Sequence, residues 1–206
     1  MTNDFEKNCA HCPGGIGLQF PLYSDDLFLT VCDVHPLTEG HILLITKKHV
    51  LAMGALSNSA FARYQKLYKK IKTFIMNNYG QVGIFEHGVS GQTVPHAHTH
   101  FLPFNHSTEE IIPDQHALRP VANLSEIRNE FLKNKEYLFL ENRDRMWLVK
   151  TKLSYPRFFR EIFAKLLKAD SRADWKKAED NKKLMEKFSA DIFALKNKWS
   201  KTNLHL

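Results

Sequence analysis

The stretch Pro95-His96-Ala97-His98-Thr99-His100-Phe101-Leu102 carries three histidines at strict alternation and runs into two apolar residues. Alternate side chains of a β-strand share a face. The spacing therefore predicts a strand over 95–102 with His96, His98 and His100 on one side and Ala97, Thr99 and Phe101 on the other. Pro95 suits a strand's first position, where its missing N–H costs least. Three imidazoles in a row make a poor core, so that face reads as chemistry rather than packing. Two chemistries compete. Imidazole is a common metal ligand, but the outer pair lie about 13 Å apart at roughly 3.3 Å per residue, so a metal site needs ligands from elsewhere. Imidazole is also a nucleophile and an acid–base group near neutral pH. Just upstream, Gly88-Val89-Ser90-Gly91-Gln92-Thr93 offers backbone N–H groups, an amide and a hydroxyl, donors that suit a phosphate.

Outward from this strand the pattern mixes α and β. Apolar runs over 27–33 and 41–46, separated by His35-Pro36-Leu37-Thr38-Glu39-Gly40, read as a hairpin. Over 57–79 the spacing turns helical, with Phe61, Tyr64, Leu67, Tyr68, Ile71, Phe74 and Ile75 on one stripe and Gly80 as its C-terminal cap. A strand over 81–85 leads through the loop 86–92 to the histidine strand. A short helix follows over 125–132, then strands over 137–140 and 146–149. Beyond them the chain reads as helical, with Pro156 near a helix start and an amphipathic run over 174–195. The predicted class is α+β: an antiparallel sheet with helices on one face, plus a helical C-terminal extension. The boundary falls between a catalytic domain over 1–110 and an extension over 111–206, whose strands lie within 137–149 and which packs on that domain.

The 206 residues are 43% hydrophobic and 12% aromatic, which suits one domain with a substantial core and excludes a disordered chain. No apolar run is long enough for a membrane span, and the opening residues lack the layout of a secretion signal. Three cysteines are too few to staple a chain this size. Cys32, in an apolar run, reads as a small buried hydrophobe, and the predicted location is cytoplasmic. Residues 1–142 carry 12 Lys and Arg against 14 Asp and Glu, and residues 143–206 carry 17 against 8, for nets of −2 and +9. The basic C-terminal third is either a solvated helical surface with interspersed acids or a face for a polyanion such as RNA. Cys9-Ala10-His11-Cys12 has the spacing of half a zinc site, and two free thiols are the alternative.

The segment Gly91-Gln92-Thr93-Val94-Pro95-His96-Ala97-His98-Thr99-His100-Phe101-Leu102-Pro103 closely resembles the signature of the histidine-triad (HIT) family. That signature is His-x-His-x-His followed by apolar residues, often preceded by Gly-Gln-Ser/Thr. The run Asp33-Val34-His35-Pro36-Leu37-Thr38-Glu39-Gly40-His41-Ile42-Leu43-Leu44-Ile45-Thr46-Lys47-Lys48-His49 resembles the family's strand pair, and the likeness covers roughly residues 5–105. The resemblance implies a nucleotide hydrolase or nucleotidyl transferase working at an α-phosphate. His98 would be the nucleophile and His100 a phosphate ligand, with Gly91, Gln92 and Thr93 around the phosphate. His41 would support the site and Asp33 would hold the ribose hydroxyls.

The resemblance further implies a structural Zn2+ held by Cys9, Cys12, His49 and His96, with His11 as a substitute ligand, and a homodimer that the long tail could cover. One departure stands out: Glu86-His87-Gly88 occupies the place of a common Asn-x-Gly. A carboxylate beside a phosphate is repulsive unless protonated, paired or turned away, and His87 reads as a solvent-facing loop residue. The segment from Tyr155-Pro156-Arg157-Phe158-Phe159-Arg160 through Ala173-Asp174-Trp175-Lys176-Lys177 is similar, more loosely, to the C-terminal part of CwfJ-type proteins linked to RNA processing. That likeness keeps a non-catalytic RNA- or nucleotide-binding module as the alternative, beside a metal-dependent hydrolase. Its basic and aromatic residues would cover the nucleotide site, bind RNA or simply pack.

Overall fold

The computed structural model describes residues 5–178 and 180–202; residues 1–4, part of the segment read for a secretion signal, lie outside the described residues. Eight strands form one antiparallel sheet: β1 (Pro21–Ser24), β2 (Phe28–Cys32), β3 (Ile42–Thr46), β4 (Val82–Gly88), β5 (His98–Pro103), β6 (Leu118–Val121), β7 (Tyr137–Asn142) and β8 (Arg145–Val149). Their order across the sheet is β1-β2-β3-β5-β4-β7-β8-β6. The helices are α1 (Asn58–Tyr79), α2 (Thr108–Ile111), α3 (Leu124–Asn134), α4 (Phe158–Leu166), α5 (Trp175–Ala178) and α6 (Lys182–Ser200). Among the described residues no helix is long and apolar enough to cross a membrane.

Alternation along the strands builds two cores. One side of the sheet turns Phe28, Ile42, Leu44, Ile84, Phe101 and Phe139 toward α1, whose predicted stripe from Phe61 to Ile75 is buried against them. Ser57 caps that helix by accepting the Ala60 N–H, and Gly80 ends it at φ +90°, a conformation that any side chain would strain. The other side turns Phe85, Leu102, Leu138 and Leu140 toward Phe158, Phe159 and Phe163 of α4. The C-terminal extension thus joins the sheet through β7, which pairs with the outer edge of β4, and lays α4 over the face that also carries His98 and His100.

Three boundaries differ from the sequence expectation. The histidine strand starts at His98 rather than 95, because His96 N–H closes a tight turn on Val94 O at 2.8 Å and the Ala97 N–H goes to Val50 O, outside the named strands. Strand β4 runs on to Gly88 because β7 supplies ladder partners as far as Gly88↔Tyr137. The single amphipathic run over 174–195 is split into α5 and α6, since Asn181 restarts the helix by accepting the Leu184 N–H. Strands β1 and β6 and helix α2 are too short for periodicity to reveal.

Phe163 has no solvent exposure and packs at 5.0 Å from the Phe85 ring and 4.3 Å from Phe104. Phe163→Ala should lower the urea-derived unfolding free energy by about 3–5 kcal/mol. A loss below about 1 kcal/mol would show that α4 does not seal this face.

Candidate functional site

His98 and His100 leave β5 on the α4 side, with ring centroids 4.9 Å apart. Nδ1 of His98 lies 2.6 Å from the His96 carbonyl oxygen. A carbonyl only accepts, so the His98 proton sits on Nδ1 and the lone pair on Nε2. Burial holds its pKa below the usual histidine range, which keeps that lone pair unprotonated near neutral pH.

His100 is oriented from behind. The Leu37 N–H donates to Nδ1 of His41 at 3.1 Å, so the His41 proton sits on Nε2, which lies 2.9 Å from Nδ1 of His100. His100 must then carry its own proton on Nε2. Burial pushes His41 down to about 4 and His100 well below its ordinary value, so the pair is neutral. The Phe85 ring stacks on His100 at 4.3 Å and 20°. One neighbouring imidazole therefore bears a free lone pair, and the other an N–H donor.

Both border a cavity of about 90 Å³. Gly91, Gln92 and Thr93 form one wall, Ala10, His11, Ile16 and Gly17 another, and Arg157, Arg160 and Trp175 of the extension a third. The loop is held in an unusual conformation. Val89 has φ +83° and Gly91 φ +77°, and a Cβ on Gly91 would meet Tyr155 O at 2.7 Å. A β-branched residue at positive φ is costly, and such strain persists where surrounding bonds over-determine it. Here Ser90 Oγ donates to Glu136 at 2.6 Å, Gln92 Nε2 donates to Leu51 O at 2.7 Å, and Arg157 N–H donates to Gly91 O at 3.2 Å.

Residues 19–107 match the family profile of the HIT domain. The chain contains a HIT domain. A HIT-like protein of Borreliella burgdorferi is 34% identical over 90 residues, 41% of this chain and 65% of its own length. The adenylylsulfatase HINT3 of Arabidopsis thaliana is 26% identical over 50% of this chain and 55% of its own. The asymmetrical bis(5′-nucleosyl)-tetraphosphatase of Schizosaccharomyces pombe is 28% identical over 39% of this chain and 47% of its own. The chain thus spans 47–65% of the length of these relatives. The crystal structure of a Hit-like protein from Bartonella henselae is 28% identical, covers 41% of this chain and 68% of that one, and aligns with a TM-score of 0.36.

Cys9, Cys12, His49 and His96 converge beside the HIT domain's triad, with their ligand atoms all within 4.8 Å of one another. The two cysteines precede the matched span. Nδ1 of His96 is 3.4 Å from Sγ of Cys9 and 3.6 Å from Sγ of Cys12, and Nδ1 of His49 is 3.5 Å from Sγ of Cys12. Tetrahedral zinc, with bonds of about 2.3 Å to sulfur and about 2.0–2.1 Å to nitrogen, sets sulfur–nitrogen edges of roughly 3.5 Å. Nε2 of His96 donates to Thr46 O at 2.7 Å, which leaves Nδ1 as the ligating lone pair. The residues present therefore fit a zinc ion. His11 stands outside this set: its ring packs edge-on to His98 at 4.6 Å and borders the cavity. A second acid-and-imidazole group, Asp33, His41 and His100, is unsuited to a metal. His41 gives one nitrogen to His100 and accepts the Leu37 N–H on the other, and Arg160 already meets the acid's charge.

Asp33 borders the cavity but is engaged within the chain. Its Oδ1 accepts the His35 N–H at 2.8 Å, and its Oδ2 takes Nη1 of Arg160 at 3.0 Å. Burial alone would raise its pKa, yet Arg160, His41 and the His35 N–H hold it down to about 2. His35, Arg157, Arg160 and Trp175 were not among the sequence-derived site residues, and only the basic and aromatic composition of 155–177 hinted that the extension covers the site.

His87 corrects the expectation of a solvent-facing loop residue. It lies in β4, is buried, and accepts the Phe159 N–H at 3.3 Å, because β7 carries the strand past it. Glu86 points to the opposite face, accepts the Met53 N–H at 2.8 Å and so turns away from the cavity. Burial raises its pKa from 4.5 to about 7, with the Met53 N–H opposing. The native state thus keeps a proton that the unfolded chain gives up, so stability is full below about pH 4.5 and falls as pH rises toward 7. Urea unfolding at about pH 5 and about pH 8 should differ less in Glu86→Gln than in the parent, by about 2.5 kcal/mol at 1.36 kcal/mol per pKa unit. An unchanged pH dependence would contradict a protonated native Glu86.

Proposed function

We propose that this chain is a nucleotide phosphohydrolase or nucleotidyl transferase that cleaves at an α-phosphate through a nucleotidyl-histidine, with His98 as the nucleophile. The observation that carries this reading is the hydrogen bond from Nδ1 of His98 to the His96 carbonyl, which leaves Nε2 as a lone pair at the cavity beside the His100 N–H. Nε2 attacks the α-phosphorus and forms an N–P bond. The bond from phosphorus to the leaving group breaks, and the leaving group takes its electron pair. Positive charge then gathers on the imidazole, where the His96 carbonyl steadies the Nδ1 proton. A water oxygen, or another acceptor, attacks phosphorus next, and the N–P electrons return to Nε2. His100, Gln92, Thr93 and the Gly91 backbone would hold the phosphate oxygens.

The adenylylsulfatase and tetraphosphatase names among the relatives support a nucleotide conjugate as substrate: a dinucleoside polyphosphate, a nucleoside phosphoramidate or a similar compound. Cys9, Cys12, His49 and His96 would hold a structural zinc ion. Four protein ligands leave no open coordination position, which separates this reading from a metal-dependent hydrolase. The zinc would tie the segment bearing the His11 wall to the HIT domain and add to folding stability.

A panel of adenosine phosphosulfate, diadenosine tetraphosphate and adenosine phosphoramidate should yield at least one substrate, with His98→Ala slower by about a thousand-fold or more at near-parent stability. Retained turnover in that variant would overturn the nucleophile. Salt-sensitive RNA binding without any turnover would favour a binding module instead. Elemental analysis should find about one zinc per chain, and Cys12→Ser should lose it together with several degrees of thermal midpoint. Metal-free protein with an unchanged midpoint would remove the zinc assignment.

A further inference from the structure

Arg160 reaches from α4 to the HIT domain, and every one of its guanidinium nitrogens donates, to that domain or to the extension itself. Nε donates to Ala173 O at 3.1 Å, Nη1 to Oδ2 of Asp33 at 3.0 Å, and Nη2 to the carbonyls of His35 and Arg172. The two side chains are 9% and 8% exposed, so this is a buried ion pair. The same Oδ2 lies 3.5 Å from Nδ1 of His41, the first imidazole of the line that ends at His100. Charge, carboxylate, two imidazoles and cavity therefore stand in series.

The series can hold its protons in two ways. In one, His41 accepts the Leu37 N–H on Nδ1 and donates from Nε2, so that His100 presents Nε2–H to the cavity. In the other, His41 gives up the Leu37 N–H, carries its proton on Nδ1 toward Asp33, accepts from Nδ1–H of His100, and leaves a bare lone pair on Nε2 of His100. The second arrangement repels a phosphate oxygen. An unpaired carboxylate 3.5 Å from His41 would draw the proton to Nδ1 and favour it. Arg160 removes that pull by occupying the carboxylate.

We propose that Arg160 is a positioning residue which, by pairing with Asp33, keeps His41 and His100 in the tautomers that offer an N–H to the phosphate. This rests on the reading of His100 as a phosphate ligand. It also reassigns Asp33, whose oxygens serve the His35 N–H and Arg160 rather than a ribose. The C-terminal extension is then a working part of the site, since a residue of α4 acts with the Leu37 N–H to hold the histidine line.

The test compares the parent, Arg160→Gln, Asp33→Asn and the double variant. Long-range proton–nitrogen NMR of the free protein reports the tautomers, and calorimetry with AMP reports binding. The parent should show His100 protonated on Nε2. Arg160→Gln should shift or broaden that pattern and weaken AMP about tenfold, the scale of one charge-assisted hydrogen bond. Adding Asp33→Asn should restore most of both, because the unpaired charge is gone. If Arg160 only anchors the extension, the double variant will be no better than Arg160→Gln, and the proposal fails. It also fails if the parent carries the His100 proton on Nδ1, a result that needs no variant to fold. AMP and its 2′,3′-dideoxy analogue should bind the parent and Asp33→Asn with the same ratio; a ratio that collapses in Asp33→Asn would return Asp33 to the ribose. Failure of AMP to bind the parent at all would count against the nucleotide reading, while the tautomer pattern still decides the role of Arg160.

Discussion

A strand can commit only alternate residues to one side, and β5 divides its residues on that constraint. Thr99 and Phe101 lock into the core against α1, with Thr99 Oγ1 3.1 Å from the Tyr64 hydroxyl, and this fixes where His98 and His100 stand on the far side. The short bond from His98 Nδ1 to the His96 carbonyl then settles which nitrogen each ring presents. It arises because the chain turns sharply just before β5, so that the His96 side chain goes to the cysteines while its carbonyl stays with His98. The candidate chemistry depends on that turn as much as on the histidines.

Much of this was legible in the sequence. Alternation placed His98 and His100 on one face, the helical stripe from Phe61 to Ile75 gave α1, and the apolar runs gave β2 and β3. The resemblance to a HIT domain named Gly91, Gln92, Thr93 and His41, and these gather around His98 and His100 as the fold requires. What was not legible depends on tertiary pairing. Glu86 and His87 read as loop residues because nothing local announces that β7 will extend β4 past them. His96 read as a strand partner of His98 because a turn closed by one backbone bond leaves no periodic trace.

The extension carries the larger lesson. Its net charge of +9 suggested a solvated surface or a polyanion face. Some of those cations are paired within the chain: Arg160 is buried against Asp33, Arg172 is half-buried against Asp191, and Arg157 pairs with Glu161 at the start of α4. Composition counts charges but cannot tell an exposed lysine from an arginine that bridges two halves of a site. The HIT-domain partners of Arg160, His35 and Asp33, sit 125 and 127 residues away in sequence, beyond the reach of any pattern reading.

The central claim is that His98 becomes covalently bonded to the α-phosphorus. Rapid acid-free quenching of the protein with an adenylyl substrate, followed by peptide mass spectrometry, tests it directly. The account predicts a transient adenylyl adduct on the peptide containing His98, localised to that imidazole and absent from His98→Asn. Turnover of substrate with an adduct on another residue, or with none at any time point, would contradict it.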